Sequence, residues 1–214
     1  MEAYIFDLDG TLINSFRDLC YSINTMLISY SFPIFTIDEV MEMVGKGARN
    51  LVTRALPEDK RGDEEFVSEA LLKYQRIYDE HCLDKVCLYD GLYPVLTRLH
   101  DEGKRLAIVT NKDAGHARAI VEKLVPGIFD EVIGYGSGFL HKPSPDAVNC
   151  LLEKFGVSRD KTVFVGDMAV DAMCAQNAGV RCALVTWGPL GEKVSDITPS
   201  PDFVISSADE LLTI

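Results

Sequence analysis

The 214-residue chain has no C-x-x-C pair, no apolar run of membrane-spanning length, no stripe of basic residues, no internal repeat and no low-complexity stretch. Each absence excludes a class. Six cysteines without paired spacing (Cys20, Cys82, Cys87, Cys150, Cys174 and Cys182) read as reduced thiols, not as a zinc site or a disulfide framework. A chain with 33 acidic and 21 basic residues, net charge −12, is not expected to bind nucleic acid. No membrane span is expected. The first strand starts almost at residue 1, so no targeting peptide is expected and a cytoplasmic location is.

What is present is ordinary in amount and specific in arrangement. The chain is 47% hydrophobic and 25% charged, the balance of a soluble globular protein. From Ser15 to about His81 the periodicity predicts only helix. Phe16, Leu19, Cys20, Ile23, Met26 and Leu27 recur at helical spacing, Thr36-Ile37-Asp38-Glu39 has the form of a capping box, and Phe66 to Tyr78 forms a longer stripe. After about Val86 the pattern changes. Short apolar runs at 106–109, 132–133, 162–165, 182–185 and 203–205 alternate with helical patterns at 92–100, 114–124, 145–155, 170–178 and 209–212. Such strands indicate a parallel sheet covered on both faces, and the strand at Tyr4 belongs to it. The expected architecture is α/β, with an all-helical segment inserted after the first strand. The core takes residues 1–14 and 83–214, and the insert takes 15–82.

The strand ends carry the polar residues. The first strand runs Tyr4-Ile5-Phe6 into Asp7-Leu8-Asp9, the next ends in Thr110-Asn111-Lys112, a later loop holds His141-Lys142-Pro143-Ser144-Pro145, and another strand ends in Gly166-Asp167 with Asp171 four residues on. Parallel strands gather these ends on one edge, where open α/β sheets bind ligands. Singly, each has a plain structural reading: Asp7 or Asp9-Gly10 as a turn, Asp167 as a helix N-cap, Ser144-Pro145 as an N-cap followed by proline. Their convergence on one edge favours chemistry. Oxygen ligands without His or Cys point to Mg²⁺ rather than zinc. A threonine hydroxyl, backbone N–H groups and a lysine suit a phosphate. His81, His100 and His116 read as helix-surface residues. His141 stands near the site mouth without an assigned role, and Trp187 is expected to pack or shape a loop.

With these motifs in place, the chain resembles the haloacid dehalogenase-like hydrolase superfamily. Its D-x-D-x-T motif stands as Asp7-Leu8-Asp9-Gly10-Thr11, its strand-end hydroxyl as Thr110, its lysine as Lys142, and its G-D-x-x-x-D motif as Gly166-Asp167-Met168-Ala169-Val170-Asp171. Met168 departs from the Ser or Thr common at that position. A thioether is a poor Mg²⁺ ligand, so little effect on the metal is expected. Within the superfamily, Val44-Gly45-Lys46-Gly47, Leu51 to Leu56 and Val109-Thr110-Asn111-Lys112 are most similar to phosphoglycolate phosphatases.

The resemblance implies a Rossmann-like core with a helical cap, and a Mg²⁺-dependent phosphomonoester hydrolase acting on a small phosphorylated metabolite. It implies Asp7 as nucleophile, Asp9 as general acid and base, and Thr110, the Asn111 amide and Lys142 on the phosphoryl group. Mg²⁺ is expected on Asp7, the Asp9 carbonyl and Asp167, with Asp171 behind the ligands or acting through a water. Within the insert, Gly45 to Arg49 is the most ligand-like stretch. Lys46 and Arg49 read equally as contacts for a substrate carboxylate and as solvated helix-start residues. Rival readings are a phosphotransferase or mutase of the same superfamily, similar to β-phosphoglucomutase, and a non-catalytic module that binds a phosphorylated ligand. A receiver-type signalling domain fits less well, because its acids are normally adjacent and it lacks the helical insert. The sequence leaves the oligomeric state open.

Overall fold

The computed structural model describes residues 1–214, the side chain of residue 192 excepted. The chain divides into two compact units, Met1–Asn14 with Leu88–Ile214, and Ser15–Cys87. In chain order the elements are β1 (Ala3–Phe6), β2 (Ile13–Asn14), α1 (Phe16–Ser29), α2 (Ile37–Met41), α3 (Ala48–Ala55), α4 (Glu64–His81), β3 (Cys87–Leu88), α5 (Leu92–Asp101), β4 (Arg105–Asp113), α6 (Ala114–Leu124), β5 (Glu131–Tyr135), α7 (Asp146–Phe155), β6 (Thr162–Gly166), α8 (Ala169–Ala178), β7 (Arg181–Val185) and β8 (Phe203–Ile205), with short 3-10 turns between some of them. The periodicity at 209–212 is one of these turns, Ala208–Leu212, rather than an α-helix. Among the described residues no helix is long and apolar enough to cross a membrane.

The first unit is a six-stranded sheet in the order β5-β4-β1-β6-β7-β8, parallel throughout and flanked by α5 to α8. Every side chain of β1 is buried, as a central strand of such a sheet requires. Phe6 pairs with Ile108 of β4 on one side and Val165 of β6 on the other. The Asp7 N–H continues that ladder by donating to the Val165 carbonyl at 2.8 Å. Chain connections on the two sides of β1 run in opposite directions, so its carboxyl end is the switch point where such sheets open a crevice.

β4 runs four residues past the expected 106–109. Between Val109 and Asp113 its register against β5 shifts, because that span faces only Ile133 to Tyr135. The surplus residues bulge, which turns Thr110, Asn111 and Lys112 out of the plain alternation. Gly134 makes room for the bulge: a Cβ there would lie 2.6 Å from the Lys112 carbonyl and 2.8 Å from Ala114 Cα.

The second unit is all helix. Phe16, Ile23, Met26, Leu27, Val40, Leu51, Val52, Val67 and Tyr74 form its core. The capping box is present: the Glu39 N–H donates to Thr36 Oγ1 at 3.3 Å, and the Thr36 N–H donates to Glu39 Oε2 at 2.7 Å. The division falls at 87/88 and not at 82/83. Cys82 packs in the helical core, and the Lys85 N–H donates to both oxygens of the buried Asp18 at 3.0 Å, which ties the segment after α4 to α1. β2 and β3 pair as a separate two-stranded sheet where the chain passes between units.

Candidate active site

Seven of the nine residues singled out from the sequence lie in the first unit, at the carboxyl ends of β1, β4 and β6, in the loop before α7 and, for Asp171, in the first turn of α8. Asp7 follows β1 directly and is 6% exposed. The Lys142 ammonium lies 2.7 Å from Asp7 Oδ1 and 2.7 Å from Asp171 Oδ1, with all three side chains nearly or fully buried. The contact with Asp171 is an aligned hydrogen bond. The contact with Asp7 is an ion pair that leaves Oδ1 without one. Lys142 is itself bracketed by Asn111, whose Oδ1 accepts from the Lys142 N–H at 2.8 Å and whose Nδ2 donates to the Lys142 carbonyl at 3.3 Å. The Asn111 side-chain amide is therefore spent on holding the lysine.

Asp171 works from behind. Its Oδ2 accepts from the N–H groups of Asp167 (3.2 Å) and Met168 (3.0 Å), while Oδ1 holds Lys142. Asp167 is thus not an N-cap, and α8 starts two residues later, at Ala169. Asp167 is fully buried. Its Oδ1 accepts from the Thr11 hydroxyl at 2.7 Å, and its Oδ2 has no hydrogen-bond partner. Thr110 accepts from the Lys112 N–H at 3.2 Å, and its buried hydroxyl keeps a proton to donate.

Two features escaped the sequence reading. Lys112 is buried and pairs with both oxygens of Asp9, at 3.0 and 3.2 Å, so each acid of the first motif has its own lysine. Lys112 stands next to Asn111 in the polar run that ends β4, and that adjacency was the available signal, because the bulge breaks the alternation that would have set its direction. The second feature is a crowd of glycines around Asp167. A Cβ at Gly10 (φ +89°) would lie 2.5 Å from Asp167 Oδ2, and one at Gly188 would lie 2.7 Å from Asp167 Cβ. His141 packs on Tyr135 at 4.7 Å beside a small recess that Thr110, Asn111 and Lys142 also line.

The donor set fits a divalent cation. One oxygen each from Asp7, Asp167 and Asp171 lies within 4.8 Å of the others. Three carboxylates face one ammonium, an excess of two negative charges when all are ionised. Both Asp171 oxygens are committed, so Asp7 and the unpartnered oxygen of Asp167 are the ligands that fit. Burial pushes the Asp7 carboxyl up to about 6 against the pull of Lys142, with Asp171 adding to the rise. Burial, then Asp171 and Asp7, pushes Asp167 well above the usual carboxylate range. Burial would lower Lys142, but Asp171 and Asp7 outweigh it and hold the ammonium charged.

These shifts have a thermodynamic sign. A carboxyl whose folded pKa lies above its unfolded value binds protons more tightly when folded. The stability it contributes is full below the unfolded pKa and is lost as pH rises through the folded one, about 6 for Asp7. The metal-free protein should accordingly lose this contribution between about pH 4 and pH 7. Mg²⁺ should raise the melting temperature more at about pH 7.5 than at about pH 5, where it must displace protons. At a hundred times its dissociation constant the rise at the higher pH should be about 5–10 °C. Thermal melts with Mg²⁺ and with EDTA at both pH values measure this, and equal shifts at the two would contradict it.

The remaining two residues lie in the second unit. Lys46 is exposed between Gly45 (φ +109°) and Gly47 (φ +83°), the latter being the N-cap of α3. Arg49 is exposed in the first turn of α3, where its guanidinium pairs with Glu64 and donates to Ser68 Oγ at 3.4 Å.

Comparison with known proteins bears on the same residues. Residues 4–185 match the family model of haloacid dehalogenase-like hydrolases. The chain is 34% identical over 220 residues to a phosphoglycolate phosphatase of Aliivibrio fischeri, covering all of this chain and 96% of that one. It is 34% identical over 218 residues to phosphoglycolate phosphatase 1 of Pseudomonas aeruginosa, covering 97% of this chain and 77% of that one. A crystal structure from Haemophilus somnus, described as a predicted phosphoglycolate phosphatase, superposes with a TM-score of 0.90 at 30% identity, over all of this chain and 97% of the other.

Proposed function

This chain belongs to the haloacid dehalogenase-like hydrolases, and on that premise we propose that it is a Mg²⁺-dependent phosphomonoester hydrolase acting through an aspartyl-phosphate, with a small metabolite of the phosphoglycolate type as substrate. The observation that carries this reading is Asp7. It is a buried carboxylate at the switch point of the sheet, 2.7 Å from a buried lysine and beside an unpartnered Asp167 oxygen.

A carboxylate nucleophile divides hydrolysis into two easier steps. Asp7 attacks phosphorus in line, the ester oxygen leaves, and Asp7 carries the phosphoryl group until water cleaves it. Asp9, held by Lys112, gives a proton to the leaving oxygen and takes one from that water. The Thr110 hydroxyl and the Lys142 ammonium bind phosphoryl oxygens, where charge stabilisation supplies most of the catalysis. Asn111 contributes by fixing Lys142, and Asp171 by fixing both Lys142 and the backbone before α8. Asp7, the Asp9 carbonyl and Asp167 would hold Mg²⁺, which would supply charge neutralisation for the two anions that must meet. Six unpaired cysteines suit a reducing cytoplasm. A phosphate-release screen over small phosphomonoesters, with and without Mg²⁺, tests the reading. Release without Mg²⁺, or release from none of them, would refute it.

The helical unit is the natural source of leaving-group selection, since a phosphoryl site alone recognises only the part that all substrates share. Lys46 and Arg49 are proposed to meet the substrate carboxylate. Arg49 would first have to leave Glu64, and an exposed ion pair costs little to break. Replacing both with Ala should lower kcat/KM for phosphoglycolate by about 10- to 100-fold and barely change it for p-nitrophenyl phosphate. Equal loss on both substrates would assign the stretch to folding or closure, and no loss on either would move recognition elsewhere.

A further inference from the structure

The Asp167 carboxylate is held through one hydrogen bond, from the Thr11 hydroxyl to Oδ1 at 2.7 Å, while Oδ2 stays buried and unpartnered. Thr11 is in turn held across 176 residues of chain: the Trp187 indole N–H donates to its carbonyl at 2.9 Å. The indole lies near the Tyr89 ring, 6.5 Å between centroids. The next residue closes the same assembly from the other side. A Cβ at Gly188 would lie 2.7 Å from Asp167 Cβ and 2.8 Å from the Gly10 carbonyl, so its backbone packs directly on both. Indole nitrogen can only donate, and here it donates to the turn that aims the Thr11 hydroxyl.

We infer that Trp187 and Gly188 are positioning residues for the divalent cation. They clamp the Gly10-Thr11 turn against Asp167, so that Thr11 occupies one carboxylate oxygen and leaves the other for the metal. This rests on the reading of Asp7 and Asp167 as the Mg²⁺ site. Groups that orient a metal ligand typically govern affinity by about 10- to 100-fold when lost. Neither residue touches the reacting atoms, so their effect runs through metal affinity.

The test is calorimetric titration of the substrate-free protein with Mg²⁺, for wild type, Trp187→Phe, Thr11→Val and the double variant, with melting temperatures in EDTA. Trp187→Phe keeps the aromatic body and removes the N–H. It should weaken Mg²⁺ binding about tenfold and leave the EDTA melting temperature within a few degrees. Because Trp187 acts through Thr11, the double variant should bind Mg²⁺ about as weakly as Thr11→Val alone. Wild-type affinity in Trp187→Phe, or losses that simply add, would overturn the inference while leaving the metal site standing. Absence of Mg²⁺ binding by the wild-type protein would overturn the site and the inference together. If Trp187→Phe does not fold, Gly188→Ala carries the test: its methyl group pushes on Asp167, and unchanged affinity there overturns the inference equally.

Discussion

Asp7→Asn should abolish turnover, by about four orders of magnitude or more in kcat, and leave the fold intact. Asparagine has the shape of the aspartate and cannot form the acyl-phosphate bond. The fold should tolerate the change, because the cluster holds more negative charge than Lys142 neutralises and Lys142 keeps Asp171 at 2.7 Å. At neutral pH the metal-free variant should melt at or above the wild-type temperature, since burial disfavours the Asp7 anion. Groups that act in one reaction sequence are not additive, so changing Asp7 and Asp9 together should cost little more than changing Asp7 alone. Phosphate release and thermal melts measure both halves. Substantial release by Asp7→Asn would remove it from the role of nucleophile.

Loss of the Asp167 carboxylate should have the next largest effect. Asp167→Ala removes a buried carboxylate oxygen that has neither a hydrogen-bond partner nor an ion pair, and with it a proposed Mg²⁺ ligand. At millimolar Mg²⁺ the activity should fall by at least about a hundredfold and recover in part as Mg²⁺ is raised. Asp167→Asn separates two contributions. Its side-chain oxygen still accepts from Thr11, so a variant that remains as inactive as Asp167→Ala assigns the loss to the missing charge and not to a broken Thr11 contact. Undiminished wild-type turnover in excess EDTA would contradict the metal requirement from which both expectations follow.

The sheet was legible because its inner strands β1 and β6 are buried on both faces, so Tyr4-Ile5-Phe6 and Thr162 to Val165 appear as runs with few polar breaks. The acids that break those runs marked the edge where ligands bind. What could not be read was who pairs with whom across the site. Lys112 meets Asp9 over 103 residues of chain, and its direction is set by the β4 bulge, which exists only against β5. Asn111 holds a lysine 31 residues away, and no spacing rule predicts that. The unit boundary shifted because Asp18 captures the Lys85 N–H, a bond that helical periodicity does not encode. Trp187 was legible only as a loop-shaping residue, because its partner is a backbone carbonyl at the other end of the chain.

The central claim is that Asp7 carries the phosphoryl group. Incubation of the Asp9→Asn variant with p-nitrophenyl phosphate, whose leaving group departs without a proton, and Mg²⁺, followed by acid quench, proteolysis and mass spectrometry, tests it most directly, because loss of the base then slows only the second step and lets the intermediate accumulate. The account predicts one added phosphoryl group on the peptide containing Asp7, absent in EDTA and absent from the Asp7→Asn, Asp9→Asn double variant. A phosphoryl group on any other residue, or steady phosphate release with none trapped on Asp7, would contradict it.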